Sequence, residues 1–181
     1  RLGYNKVDLE WIRELLSENI AALTVHLRTR KEMSDVPAHW DLIKRIVEIR
    51  NEMGVDTLIL GNGDVADLED AKKKCKETGC DGIMLGRAIF GNPWLFSSPS
   101  LQPPSPDRRG TRERLEVLVE HTKLFEKMLG GHKNFAIMKK HYKAYCNGFD
   151  GAKELRMKLM ETENATQVEK IIEKFVEAQL F

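Results

Sequence analysis

Cysteine is scarce: Cys75, Cys80 and Cys146 are the only three in 181 residues. An odd count without Cys-x-x-Cys spacing argues against a disulfide framework or a zinc site. A reducing, cytoplasmic setting fits that usage best. No apolar run approaches the roughly 18 residues a membrane span needs, and no signal peptide is visible. Neither sign of charge dominates, since 29 Lys and Arg face 28 Asp and Glu for a formal net charge of +1. That total hides an uneven spread. Residues 1–107 hold 14 basic and 17 acidic residues, a net of −3, and residues 108–181 hold 15 and 11, a net of +4. The later part is the better place to meet a polyanion. Proline is also sparse, and four of the six lie in one segment, SSPSLQPPSPDRRG, from Ser97 to Gly110.

The remainder, 41% apolar and 31% charged, describes a soluble globular chain rather than a disordered one. Its organising stretch runs from Leu58 to Arg87. Two apolar runs, Thr57–Leu60 and Gly82–Leu85, each end in a Gly-containing polar turn, Gly61-Asn62-Gly63-Asp64 and Gly86-Arg87. Short apolar runs flanked by Gly read as buried parallel strands. Gly at a strand exit admits a close ligand, and bare N–H groups there hold phosphate. Two such units separated by a helix suggest one anion site at adjacent strand ends.

Around this stretch the pattern alternates. Arg1–Asn5 reads as a strand end with its turn. Asp8 caps a helix over 9–17, with Trp11, Ile12, Leu15 and Leu16 on one face. Ala21–Val25 reads as a strand ending in His26, and residues 27–37 as a polar loop carrying Arg28, Arg30 and Lys31. A helix over 40–53 stops at Gly54. Asp67 caps another over 68–78, and residues 88–96 predict a short helix bent at Pro93. Strands alternating with helices give an α/β class with a parallel sheet of about three and a half strands. The proline-rich segment marks a domain boundary. Beyond it only helices are expected, over 111–129, 135–147, 152–161 and 166–180, the last opened by a capping box at Thr166-x-x-Glu169.

Several residues suit chemistry. His26 stands at the C-terminal end of a strand, where parallel α/β folds place ligands; the alternative is a histidine that holds a loop. Arg28, Arg30 and Lys31 form a basic loop, suited to a phosphate-rich ligand or simply to solvent. Asn62, Gly63 and Asp64 make a turn or touch a ligand, and gain meaning from Gly86-Arg87 one βα unit later, where Arg87 offers a charge-assisted fork. Trp94 and Phe96 read as packing of the closing helix. Lys139, Lys140, His141 and Lys143, with Tyr142 and Tyr145 interleaved, have an RNA-binding flavour, although a solvated helix face is the usual reason for such a run. No cysteine falls at a strand's C-terminal end, so none is expected to be a nucleophile.

Taken together, VHLRTR (Val25–Arg30), PAHWDLI (Pro37–Ile43), GNGD (Gly61–Asp64), GCDGIMLGRAIFGNPWLF (Gly79–Phe96) and MKKHYKAYCNGFDGAKELRMKLM (Met138–Met160) resemble the tRNA-dihydrouridine synthases. The resemblance covers nearly the whole chain in the family's order. It implies an FMN-binding (β/α)8 TIM barrel, of which about strands 5/6 to 8 occupy residues 1–97, then a linker over 98–110 and a helical tRNA-binding domain over 111–181. It implies FMN as cofactor, NADPH as reductant, and reduction of tRNA uridine to 5,6-dihydrouridine. His26, Asn62, Gly63, Asp64, Gly86 and Arg87 are then expected to bind FMN, the last five at its phosphate. Arg28, Arg30, Lys139, Lys140 and Arg156 are expected to face tRNA. The complete enzyme is expected to be a monomer without metal.

Two departures stand out. Leu27 replaces the glycine that usually follows the family's histidine, and is expected to crowd the loop or reshape its RNA contact. The catalytic cysteine and a flavin-contacting lysine belong, by the same resemblance, ahead of Arg1. The 181 residues therefore resemble the second half of such an enzyme and are expected to be inactive alone. Other readings are a non-catalytic RNA-binding module and another FMN-dependent barrel oxidoreductase acting on small molecules.

Overall fold

Asp8 accepts a hydrogen bond from Trp11 N at 3.2 Å and so starts α1, Leu9–Ser17. Ile12 and Leu16 are its buried positions, whereas Trp11 points outward, 51% exposed, and does not join the apolar face expected of it. In the computed structural model, which describes residues 1–96 and 108–179, β1 follows at Ala22–His26, α2 at Asp41–Met53, β2 at Leu58–Asn62, α3 at Leu68–Thr78 and β3 at Gly82–Met84. α2 and α3 end on Gly54 and Gly79 in the left-handed conformation, whose N–H groups return to carbonyls of the last turn.

The three strands are parallel in the order β1-β2-β3. Strand geometry sends alternate side chains to opposite faces. Val25, Ile59 and Gly61 turn to the buried face, where Ile43, Ile46 and Ile49 of α2 and Ile12 and Leu16 of α1 complete a core. The other face carries Leu58 and Met84, 51% and 46% exposed. The unbroken apolar runs read as strands covered on both sides, but helices cover only one.

Three boundaries differ from expectation. No strand forms at Arg1–Asn5. The segment instead runs beside the loop after β1, with Leu2 N bonded to Arg28 O at 3.1 Å and Gly3 O accepting from Arg30 N at 2.9 Å. β2 extends to Asn62, so Gly61 and Asn62 belong to the strand and the turn begins at Gly63. Residues 88–96 make no α-helix. One 3-10 turn, Arg87–Ile89, leads into turns through Gly91 at φ +77°.

The chain forms two units, Arg1–Ala88 and Ile89–Phe181, so residues 89–96 belong with the second unit rather than with an expected domain over 1–97. Leu95, not Trp94 or Phe96, is the buried member of that segment. The linker expected over 98–110 lies outside the described residues up to 107, and its last three residues already begin α4, Arg108–Leu129. α5 spans Ala136–Tyr145, α6 Ala152–Met160 and α7 Ala165–Gln179. Leu115, Leu118, Met138, Tyr142, Leu155, Leu159 and Val168 form the core of these four helices. The cap of α7 is Asn164, whose Oδ1 accepts from Gln167 N at 3.0 Å while Gln167 Oε1 accepts from Glu163 N at 2.8 Å. This reciprocal box lies two residues before the expected Thr166-x-x-Glu169, and Glu169 pairs with Lys123 instead.

Candidate functional site

Parallel register brings the C-terminal ends of the strands level. His26 pairs with Asn62 and Asn62 with Met84, so the three form a row across the sheet, on the face that helices leave open. At that row opens a cleft of about 580 Å³. All six residues expected at the cofactor, His26, Asn62, Gly63, Asp64, Gly86 and Arg87, line it.

Trp40 shapes the turn from behind. Its indole Nε1 donates to Gly63 O at 2.8 Å, and its ring lies flat enough on β2 that a Cβ on Gly61 would approach Cζ3 to 2.6 Å. Gly63 itself has φ +124°, and a Cβ there would meet Ala38 Cβ at 3.0 Å and the His26 ring at 3.4 Å. A side chain at either position would clash, so β2 lies close on Trp40 at Gly61 and presents bare backbone to the cleft at Gly63.

Asp64, at φ +50°, is the electrostatic centre. Its Oδ2 accepts from Arg28 Nη2 and from Ala38 N at 2.9 Å; its Oδ1 accepts from Arg87 Nη2 at 2.9 Å. Arg28, first, and the Ala38 N–H hold the carboxyl below its ordinary range against the cost of burial. The Arg28 guanidinium is buried, its Nε also donating to Val36 O at 2.6 Å. Arg28 is thus turned inward, contrary to the expectation that it faces tRNA: a carbonyl takes its Nε and a carboxylate its Nη2. Arg87 is exposed at the rim.

His26 has its pKa lowered, chiefly by burial and then by the positive charges of Arg1 and Arg28, so at neutral pH it is an uncharged donor-acceptor beside the cleft. Asn62 donates to Met84 O at 2.8 Å, which ties β2 to β3. Leu27 does not crowd the loop: its side chain is fully buried in the core, and its backbone bonds Asn62 O and His39 N. Arg30 is exposed, with Nη1 on Met33 Sδ at 2.9 Å. Glu32 links Thr29 N at 2.7 Å and His39 Nε2 at 2.9 Å, and these bonds draw its pKa down to about 2.

In the helical unit Lys140 is exposed, Lys139 donates to Met160 O at 2.7 Å, and Arg156 donates to Cys146 O at 2.5 Å. The interleaved tyrosines do not share this surface. Tyr142 and Tyr145 are buried in the core, with hydroxyls on Thr162 Oγ1 at 3.3 Å and His121 Nδ1 at 3.1 Å. Burial pushes the Cys146 thiol up to about 12, far from a nucleophile's range. Trp40 and Ala38 lie in the PAHWDLI stretch but are not among the residues expected at the site. Their contacts with β2 and its turn span 21 to 26 positions, beyond the reach of a local pattern. Among the described residues no group of acidic, His and Cys side chains is arranged to hold a metal, and no helix is long and apolar enough to cross a membrane.

The family model described as "Dihydrouridine synthase (Dus)" matches residues 3–180. A Staphylococcus aureus protein named "Probable tRNA-dihydrouridine synthase" is 37% identical over 183 residues, 99% of this chain and 54% of that protein. A Staphylococcus epidermidis protein of the same name is 38% identical over 178 residues, 97% of this chain and 53% of its own length. A Bacillus subtilis protein, "Probable tRNA-dihydrouridine synthase 2", matches at the same identity and coverage. The chain therefore spans about half the length of these relatives, and with a family match running nearly end to end it belongs to the dihydrouridine synthase family.

Proposed function

We propose that the chain contributes the flavin-phosphate end and an RNA-gripping helical unit to an FMN-dependent tRNA-dihydrouridine synthase. In this reading β1, β2 and β3 are late strands of a (β/α)8 barrel whose interior is the face left open by the helices. One observation carries it: the cleft at the strand ends is lined by all six residues expected there. The residues fit a phosphate. Gly63 and Gly86 present backbone without side chains, and Arg87 supplies an exposed guanidinium.

Held in this cleft and reduced by NADPH, FMN would supply the hydride to C6 of a tRNA uridine, and a cysteine, by the family resemblance, would supply the proton to C5. The chain's own residues position and neutralise. Arg87 meets the phosphate charge, Trp40 fixes the Gly63 carbonyl so that the turn keeps its shape, and neutral His26 offers a hydrogen bond to the ligand without adding charge. Lys139, Lys140 and Arg156 meet RNA phosphates, a contact that weakens with salt. Arg30 is the exposed loop arginine that does the same, since Arg28 is buried within the protein.

Flavin fluorescence quenching tests the cofactor reading. FMN is expected to bind the 181-residue chain, and Arg87→Gln to weaken binding by the ~1.5–3 kcal/mol typical of a charged hydrogen bond. No binding, or binding indifferent to Arg87, refutes it.

A further inference from the structure

A carboxylate inside a phosphate site is an electrostatic contradiction, since two anions repel. Asp64 lies in the cleft yet stays ionised, because a buried guanidinium and a backbone N–H hold it so. We propose that Asp64 is an internal counter-ion rather than a ligand contact, and that Arg87 exchanges its carboxylate for an incoming phosphate monoester. The inference rests on the reading of the cleft as a phosphate site.

The two carboxylate oxygens are unequally committed. Oδ2 takes Arg28 and the Ala38 N–H from within the protein; among the described residues Oδ1 takes Arg87 alone, from the rim. The Arg28 side chain is 3% exposed and Arg87's is 68% exposed. Moving Arg28 leaves a buried charge without compensation, which is costly. Moving Arg87 breaks a solvent-exposed pair, which costs little. Exchange therefore happens on one side only, and the Arg28–Asp64 pair remains as a fixed floor.

Charge decides which anion succeeds. Two guanidiniums and one carboxylate sum to +1. A singly charged phosphodiester offers Arg87 no more charge than Asp64 already does. A phosphate monoester, with about −1.5 to −2 at neutral pH, offers more, and its three terminal oxygens accept the guanidinium fork. Asp64 meanwhile holds Arg87 at the cleft. The site so described selects terminal phosphate groups over internal diesters.

The test uses the 181-residue chain, labelled at arginine with 15N and titrated with inorganic phosphate at pH 7.5. The Arg87 side-chain resonance is expected to shift saturably while that of Arg28 stays. Dimethyl phosphate, a monoanionic diester, is expected to move neither. Asp64→Asn keeps an oxygen for Arg28 and Ala38 but removes the competing charge, so phosphate is expected to bind about two- to fivefold tighter, as loss of an exposed ion pair implies. Joint movement of Arg28 and Arg87, an equal response to the diester, or weaker binding by Asp64→Asn overturns the proposal. Should Asp64→Asn fail to fold, the labelled wild-type chain decides alone. Failure of the phosphate-site reading looks different: neither arginine responds, and phosphate does not compete with FMN.

Discussion

Adding one methyl group to Gly61 probes whether the sheet's covered face controls the cleft. An alanine Cβ there stands 2.6 Å from Trp40 Cζ3 and 2.7 Å from Cη2, both atoms of the outer indole ring. Ordinary contact begins near 3.4 Å. The ring or the strand must therefore yield by most of an ångström, and overpacking of this kind costs about 1–3 kcal/mol. The displacement also drags Nε1 from Gly63 O, forfeiting a hydrogen bond worth about 0.5–1.5 kcal/mol. Trp40→Phe pays the second cost but removes the offending outer ring. In the double variant the clash disappears, so the two penalties are expected to fall short of additivity by about 1 kcal/mol or more, as for residues in direct contact. Urea unfolding followed by circular dichroism gives the stabilities, and FMN quenching the affinities. Additive penalties, or Gly61→Ala with unchanged stability and FMN affinity, refute the claim that Trp40 seated on β2 holds the turn.

The histidines set a pH limit. Burial lowers the pKa of His26, His121 and His141 below 6.5, so the unfolded chain takes up their protons first; stability is complete above about pH 6.5 and is lost as pH falls through the folded values. Urea midpoints at pH 7.5 and 5.5 check the direction, and a rise on acidification contradicts it. At lower pH Glu32, held to about 2, keeps its loop bonds until the pH falls through that value. Glu32→Gln is expected to flatten the acid limb and to speed amide exchange at Thr29. Met138→Ala empties a fully buried position among the helices and is expected to cost about 2–5 kcal/mol by chemical denaturation; a loss below 1 kcal/mol counts against the core assigned to α5. For RNA, Lys140→Ala is expected to lower the salt slope of tRNA binding by about one, whereas Arg28→Ala destabilises the loop without changing that slope. An equal slope change in both puts Arg28 back on the RNA surface.

Elements with local signals were legible in the sequence. Asp8 and Asp67 cap α1 and α3, and Gly54 and Gly79 end α2 and α3, because caps act within one turn of chain. The strand-end residues were legible because apolar runs ending in Gly recur one βα unit apart. Partnership was not legible. Arg28 and Arg30 are two positions apart and look alike in sequence, yet one is buried on Asp64, 36 residues away, and the other is exposed. Tyr142 stands among lysines in the chain but lies on the buried side of α5, away from Lys140, because helical periodicity separates neighbours that a basic-aromatic string lumps together. The closing helix failed on Gly91, whose positive φ and contact with Ala144 override the helical pattern of 88–96.

That glycine has a practical consequence for dissecting the molecule. A Cβ on Gly91 would sit 2.3 Å from Ala144 O, so this turn is seated on α5 as part of the helical unit's own structure. Primary structure invites a cut in the proline-rich segment, which would leave Ile89–Phe96 attached to the wrong partner. A helical piece starting at Ile89 keeps the turn on Ala144; one starting at Thr111 bares the surface around Ala144. Separating the two units therefore means dividing, within the turn Arg87–Ile89, the very motif that reads as one continuous signature.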